Sequence, residues 1–189
     1  MDWMLVFDEV LLEPGASDDD IARFVATIAQ PLSAEEVEMV NRTQRNPFHR
    51  SDPLHATYKQ FDPSVWVMPT RPLPPQYLSL LKWSNGAWCR SGEREFGFFP
   101  TFDANGCGVR DSMLAYHVPQ YMPGALPFAF NGGGTFYLFD MREDAVGGEY
   151  PVVCCHAGSL SWDWGSDFVV AASFEEACRD KVNVEELRP

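Results

Sequence analysis

Cys154-Cys155-His156 is the stretch whose residue types are best suited to covalent chemistry. A nucleophilic cysteine needs a thiolate and a base within hydrogen-bond reach. The residues from Tyr150 onward have the β-branched composition of a strand, in which neighbouring side chains point to opposite faces. His156 therefore points away from the adjacent Cys155, and we expect that a distant histidine would have to supply the base. Buried cysteines that pack as small hydrophobic residues explain the pair without chemistry, while a cysteine-dependent enzyme stays open as an alternative.

The cysteines also bear on metal binding and on the cellular compartment. Three consecutive residues cannot converge on one metal ion, and none of the five cysteines forms a Cys-x-x-Cys pair. We therefore expect five reduced thiols, no disulfide framework, no metal and no cofactor. The start Met1-Asp2-Trp3-Met4 lacks the basic residues of a signal peptide, and no apolar run approaches membrane-spanning length. These features favour a cytoplasmic protein.

Trp162-Asp163-Trp164 is a candidate binding surface, because a spacing of two places both rings on one side of an extended segment. The glycines and serines around it indicate a loop, and loops commonly expose functional side chains. Tryptophan is enriched at interface hot spots, so the two rings could contact a partner, with packing in the core as the competing interpretation. Glu93 and Glu95 flank a turn after Asn85-Gly86 and are further candidates for the same surface.

Charge narrows the class of partner. Fourteen Lys and Arg residues face 27 Asp and Glu residues, which gives a net charge of −13. A field of this sign disfavours nucleic acid and anionic membranes and favours basic proteins. Residues 140–189 contain 11 acids and four Lys or Arg, a local balance of −7 and more than half of the total. The charge taken alone is also explained by ordinary solubility.

The element that must position these residues is a central hairpin, Leu126 to Asp140. Its aromatic runs suit the pleated surface of a strand, and Asn131 to Gly134 supplies the positive-φ residues that a reversal needs. We expect Phe128 to Phe130 to pair with Phe136 to Phe139. Gly133 is expected to hold a positive φ, so Gly133→Val should destabilise the fold by about 1 to 3 kcal/mol. A phosphate-binding loop is disfavoured because a strand rather than a helix follows the glycines.

Polar caps and prolines mark the helix starts. A serine followed by acids, or by a glutamate three residues later, satisfies the free N–H groups of a first helical turn, and proline suits that turn because it has no N–H. These signals predict helices that begin after Ser17, after Ser33, at Pro74 or Pro75, and after Ser173. A further helix is expected from Val109 to Val118, closed by Pro119. Short strands are expected within Trp3 to Leu12, Ala87 to Cys89, Glu95 to Pro100, Tyr150 to Cys155 and Phe168 to Ala172.

These elements predict a single α+β domain with a mainly antiparallel sheet flanked by helices. Helices are expected before the sheet and between its strands, and a last helix closes the domain. Residues 1–72 are expected to form an N-terminal helical extension packed on the domain formed by residues 73–189.

Four patches occur in order along the chain: Leu73 to Leu78 with Trp83-Ser84-Asn85-Gly86, the hairpin from Pro127 to Asp140, Tyr150-Pro151-Val152, and Ala172 to Glu176. In these patches the chain resembles the SUKH superfamily, which includes bacterial immunity proteins and the Smi/Knr cell-wall regulators of fungi. Two departures stand beside the resemblance. Many relatives have an acid soon after Asn-Gly, where this chain has Ala87-Trp88-Cys89, and the first 70 residues match poorly apart from the helix after Ser33.

The resemblance implies a SUKH-like fold and a non-enzymatic protein-binding domain. Typical members are immunity proteins that neutralise a secreted toxin, often a nuclease, by direct contact. The acidity agrees, because a nuclease attracts a polyanion and is therefore basic. We predict a basic toxin domain as the partner, bound through an acidic face that contains Trp162, Asp163, Trp164, Glu93 and Glu95. The alternatives are a regulatory, small-molecule or glycan-binding module that uses the tryptophans as a stacking surface, and an interaction hub like the fungal relatives.

Overall fold

Seven antiparallel strands form one sheet in a computed structural model that describes residues 1–46, 48–102, 106–163 and 169–184. The strands lie in the sheet in the order in which they occur along the chain, and each pairs antiparallel with the next. They are β1 Glu9–Leu11, β2 Trp88–Ser91, β3 Arg94–Phe98, β4 Ala125–Phe130, β5 Thr135–Asp140, β6 Val152–His156 and β7 Val169–Ala171. The predicted α+β class with an antiparallel sheet is confirmed.

Six α-helices accompany the sheet in the same described ranges. They are α1 Asp18–Ile28, α2 Ala34–Thr43, α3 Pro75–Trp83, α4 Val109–Ala115, α5 Val118–Tyr121 and α6 Phe174–Arg179. Short 3-10 helices occupy Trp3–Leu5, Pro53–Ala56, Pro63–Val65 and Ala157–Ser159. Across the described residues, no helix combines the length and the apolar character that a membrane crossing requires.

The predicted serine caps are confirmed. Ser17 and Ser33 each accept a hydrogen bond from the backbone N–H three residues later, and the carboxylate at that position accepts a hydrogen bond from the serine N–H. Ser173 accepts from the N–H of Glu176 at 3.2 Å, but the Glu176 carboxylate accepts from the N–H of Ala172 instead of Ser173. Local sequence signals therefore fix the starts of α1, α2 and α6.

The helix predicted from Val109 to Val118 is divided in two. α4 ends at Ala115, and His117 has φ +54°, the left-handed region that side chains rarely occupy. Pro119 then lies in the first turn of α5. The expectation that Pro119 closes a helix is wrong. The N–H groups of a first helical turn have no partner within the helix, so proline, which has no N–H, is well tolerated there.

The central hairpin has the predicted pairing, with Ala129 opposite Tyr137 and Phe130 opposite Phe136. Asn131 organises the turn, since its side-chain Oδ1 accepts from two backbone N–H groups at 2.9 Å. The expectation of a positive φ at Gly133 is wrong: the positive values belong to Gly132 (+76°) and Gly134 (+98°). A Cβ at position 133 would meet Asn131 Oδ1 at 3.5 Å, which is ordinary contact.

Gly134→Ala should therefore destabilise the protein more than Gly133→Ala. At position 134 the φ is unfavourable for an L-residue, and a Cβ would lie 3.0 Å from Nε2 of His156. We expect a loss of about 1 to 3 kcal/mol in the free energy of unfolding for Gly134→Ala, measured by urea titration. Gly133→Ala is the matched control and should change stability by less than about 0.5 kcal/mol. Equal losses for the two variants would contradict this account of the turn.

Aromatic rings fill the core on both faces of the sheet. On one face Phe128 and Phe139 lie 4.4 Å apart between ring centroids, and Phe174 of α6 packs edge-on against Phe128 at 5.2 Å. On the other face Phe136 packs against Tyr116, which follows α4, at 4.8 Å. Edge-to-face and offset pairs of this kind add to the free energy of burial, so the hairpin is the centre of the core.

The N-terminal residues also join the sheet. The edge strand predicted within Trp3 to Leu12 is β1, which is only three residues long and pairs with β2 from Glu9 opposite Arg90. Backbone bonds then continue beyond the strand, with the N–H of Ala16 donating to the carbonyl of Leu81 at 2.9 Å. Residues that precede α3 are thus part of the packed structure.

Candidate functional site

A cleft of about 620 Å³ opens at the end of the sheet where the central hairpin turns. We call it the hairpin cleft; its lining residues are Glu93, Glu95, Asn131, Gly132, Gly133, Tyr137, His156 and Asn183. It exists because β3 and β4 share only two register pairs, Gly97 with Phe130 and Phe98 with Ala129. The first half of β3 therefore extends past the end of β4 and leaves a gap beside the hairpin turn.

The turn glycines bring side chains close to the backbone inside the cleft. A Cβ on Gly132 would lie 3.6 Å from Oε2 of Glu95, so the Glu95 carboxylate reaches across to the turn. The ring of His156 lies against Gly134 in the same way. Nδ1 of His156 accepts from the N–H of Gly158 at 3.1 Å, so in the neutral ring the proton is on Nε2. The cleft thus has an acid on one side and an imidazole on the other.

Among the described residues, neither glutamate of the cleft has a cation within ion-pair distance, because Arg90, which lies opposite Glu95 in β2, pairs with Glu9 instead. Glu93 is exposed and Glu95 is half-buried. Ion pairs involve many acids of this chain, but within the described ranges neither Glu93 nor Glu95 belongs to one. Their carboxylates also accept no hydrogen bond from a described residue. Two neighbouring negative charges without a partner attract a cation, and more strongly where water is partly displaced.

The β2–β3 turn that carries Glu93 is held from two directions. The N–H of Glu93 donates to the carbonyl of Lys181 at 2.9 Å, and the N–H of Gly92 donates to Oδ2 of Asp8 at 2.7 Å. Nζ of Lys181 lies 2.7 Å from the same Asp8 oxygen. The hydrogen bond from the Lys181 ammonium lowers the pKa of Asp8 below its ordinary value. The turn is therefore anchored to both ends of the described chain.

Arg94 fixes the wall of the cleft from inside. Its side chain is fully buried, and its guanidinium donates to the carbonyls of Val182 and Ala177, both at 3.0 Å, and to Oδ2 of Asp180 at 2.8 Å. Because side chains alternate along a strand, the inward position of Arg94 directs Glu95 toward the cleft.

Trp162 is held by Pro123 and Arg142. Its ring is half-buried, its Nε1–H donates to the carbonyl of Pro123 at 3.0 Å, and the guanidinium of Arg142 lies 3.8 Å above the ring centroid. Asp140 holds that guanidinium through two bonds of 2.9 and 2.7 Å. One face of the ring is thus covered by a cation of the same chain. Asp163 is exposed, and Trp164 lies outside the described residues.

The described members of the predicted surface lie at two ends of the sheet. Glu93 and Glu95 lie at the end of the sheet where β4 finishes, beside the hairpin turn. Trp162 contacts Pro123 and Arg142, at the opposite end, where Ala125 pairs with Asp140. The six residues of β4 separate these ends by roughly 17 Å at about 3.3 Å per residue. One side chain of a partner therefore cannot contact both groups.

A sequence model of the SMI1 / KNR4 family (SUKH-1) matches residues 70–179, more than half of the 189 residues. The chain belongs to this family. The match begins just before α3 and ends with α6, so it confirms the resemblance carried by the four sequence patches. All but one of the residues that line the hairpin cleft fall inside it, and Asn183 follows it. No curated protein matches the chain.

All five cysteines of this SMI1/KNR4 protein lie in the described residues, and none of them forms a disulfide. Cys154 pairs with Tyr137 and Cys155 with Phe136, so the two point to opposite faces of the sheet, and both are buried. The thiol of Cys155 donates to the carbonyl of Ser159 at 3.4 Å. Burial raises the pKa of the Cys89 thiol to about 12. Burial also raises the pKa of the Cys178 thiol. Cys89 and Cys178 are therefore thiols rather than thiolates at neutral pH.

Sequence reasoning identified two of the cleft residues, Glu93 and Glu95, from their place beside a turn. It missed Asn131, His156 and Asn183 as members of one site. The signal was present in part, because Asn131 belongs to the predicted turn and His156 directly follows the strand predicted from Tyr150 to Cys155. Among the described residues, no group of three or more His, Cys, Asp or Glu has the arrangement of a metal site.

Proposed function

We propose that this SMI1/KNR4 protein works by binding a basic protein, and that this partner is a secreted toxin domain, of nuclease type, which it neutralises by direct contact. Membership of the family is compatible with an immunity protein. The net charge of −13 supports a cationic partner, because opposite fields steer two proteins together. Nucleases need basic surfaces to hold a polyanion, which makes them suitable partners.

The observation that carries the proposal is the pair of carboxylates in the hairpin cleft, Glu93 and Glu95, neither of which belongs to an ion pair of the described residues. A lysine or arginine about 4 Å from one of them gains about 4 kcal/mol of Coulomb energy at the effective dielectric of a protein surface, before desolvation costs. Glu95 is half-buried, so less water competes for it than for an acid on an open surface. The cleft therefore offers a defined receptor for one basic side chain, in addition to the long-range field.

Trp162 offers a partner only part of its ring. Its ring is already stacked under Arg142, so a partner's cation has only the remaining surface of the ring. A role for Trp162, Asp163 and Trp164 in partner binding stays a prediction. The glycan-binding alternative also stays a prediction, and the covered face of Trp162 leaves it less stacking surface.

The test measures association with the product of the neighbouring gene, since toxin and immunity genes usually lie side by side. Glu93→Gln combined with Glu95→Gln should weaken binding by about tenfold or more, because each change removes a charge that faces the partner. The control is Glu13→Gln combined with Asp19→Asn, two exposed acids of the N-terminal segment whose loss changes the net charge equally. The on-rates of the cleft variant and of the control variant should fall as salt rises. Only the cleft variant should also dissociate from the partner faster than wild type does.

Two results would count against the proposal. If the cleft variant and the control variant weaken binding equally, the long-range field acts without a defined receptor. If association is insensitive to salt and survives the cleft variant, the partner binds elsewhere. A Trp162→Ala variant measured in parallel shows whether the opposite end of the sheet contributes.

A further inference from the structure

One edge of β3 is directed into the hairpin cleft. β2 and β3 are joined by the two-residue turn Gly92-Glu93, so Ser91 and Arg94 form the hydrogen-bonded pair next to it. Along an antiparallel strand the N–H and C=O groups of successive residues alternate between the two neighbours. Arg94 therefore directs its peptide groups toward β2, and Glu95 directs its own away from β2.

Hydrogen bonds farther along the chain show the same alternation. The N–H of Phe98 donates toward the β2 side, to the carbonyl of Ala87 at 2.8 Å. The N–H of Phe99 donates toward β4, to the carbonyl of Phe128 at 3.0 Å. Glu95 is an even number of residues from Phe99, so its N–H and C=O also point to the β4 side.

No strand lies opposite Glu95 on that side in the described part of the chain. The last β3–β4 pair is Gly97 with Phe130, after which the chain enters the hairpin turn. Within the described residues, no backbone hydrogen bond joins Glu95 to that turn. The backbone of Glu95 thus presents one donor and one acceptor in the spacing that an added extended segment uses.

We propose that the hairpin cleft receives an extended segment of the basic partner, which pairs with the backbone of Glu95 and places an arginine side chain against Glu93 and Glu95. This inference rests on the proposed function and specifies how the partner is recognised. Charge selects the occupant, because Glu93 and Glu95 lie beside this edge and Arg90, the cation opposite Glu95, already pairs with Glu9. Arginine suits the site better than lysine, since a planar guanidinium with five donors can bond to two carboxylates at once.

The test uses four peptides of sequence Thr-Val-Xaa-Val-Thr, acetylated and amidated at the ends, titrated against the full-length protein. Xaa is arginine, lysine, citrulline, or arginine with a methyl group on its backbone nitrogen. Amide chemical shifts report the binding site. The arginine peptide should perturb the amides of Glu95 and Gly132, and it should bind about tenfold more tightly than the uncharged citrulline peptide. The lysine peptide should lie between them, and N-methylation should remove binding at unchanged charge.

Variants then separate the two contributions. Glu95→Gln should remove the preference for arginine over citrulline, while Glu13→Gln should preserve it. Perturbations that avoid Glu95, equal affinities for arginine and citrulline, or full binding of the N-methylated peptide would each overturn the inference. One combination of results would separate this inference from the proposed function. If the neighbouring-gene product binds wild type but not the Glu93→Gln, Glu95→Gln variant, and the protein does not respond to the peptides, the extended-segment mode is overturned and the proposed function stays intact.

Discussion

Arg94→Ala should lower the free energy of unfolding by about 4 kcal/mol, the largest effect that we expect from a single substitution. The Arg94 side chain has no exposed surface, so its removal leaves a cavity in the core. The carbonyls of Ala177 and Val182 lose their charged donor, and Asp180 loses its cation. A buried acceptor without a donor costs about 1 to 3 kcal/mol. Loss of the ion pair costs less than the roughly 3 to 5 kcal/mol of a fully buried pair, because the Asp180 side chain is 36% exposed. Chemical denaturation followed by circular dichroism measures the loss.

Arg179→Ala is the matched control for this prediction. Arg179 lies at the end of α6, is about half exposed and pairs with Glu175 one turn earlier. Exposed pairs of this kind contribute about 0.3 to 0.5 kcal/mol, so the control should remain close to wild type. Arg94→Lys should fall between the two, because lysine keeps the charge but cannot reach three acceptors in a fixed plane. A loss below about 1 kcal/mol for Arg94→Ala would show that water replaces the guanidinium at little cost.

The same substitution connects stability to recognition. Arg94 stands between Glu93 and Glu95 in the sequence, and its bonds to α6 and to the residues after it hold the start of β3 in place. Loosening this segment should move both carboxylates. We therefore expect Arg94→Ala to weaken partner binding even at temperatures where the protein remains folded.

Local patterns predicted much of the fold because their causes are local. The serine caps act within one helical turn, and the hairpin follows from aromatic residues on both sides of a glycine-rich turn. The exact glycines with positive φ did not follow from composition. The Asn131 side-chain oxygen accepts two backbone N–H groups of the turn, and in this turn the positive φ values belong to Gly132 and Gly134 rather than Gly133.

The candidate site depends on long-range geometry, which the sequence does not display. The hairpin cleft arises from an offset between β3 and β4, and this offset is set by register rather than by residue type. Arg94 has the sequence appearance of a surface charge, yet it is fully buried. Trp162 and Arg142 are twenty positions apart in the chain, so no local pattern shows that the cation covers the ring.

Arg110→Ala is the second substitution with a large expected effect, a loss of about 3 kcal/mol. Arg110 of α4 pairs through two nitrogens with the Glu36 carboxylate, at 2.6 and 3.0 Å. The same guanidinium donates to four backbone carbonyls at and after the end of α1, those of Thr27, Ile28, Gln30 and Pro31. One side chain thus connects α1 and α2 to α4, and its removal should release both N-terminal helices together. Hydrogen exchange should then show the amides of α1 and α2 losing protection first.

The pH dependence of this loss tests the role of Glu36. The hydrogen bond from Arg110 is the largest cause that lowers the pKa of Glu36 below its ordinary value of 4.5. A carboxylate whose pKa is lower in the folded protein stabilises the fold fully above the unfolded pKa, and this contribution disappears as pH falls through the folded value. The difference in stability between wild type and Arg110→Ala should therefore be greatest at neutral pH and shrink below about pH 4.5. Glu36→Gln should abolish that change with pH, whereas Glu38→Gln, an exposed acid of the same helix, should preserve it. A difference that stays constant from pH 7 to pH 3 would mean that the carbonyl bonds alone account for the contribution of Arg110.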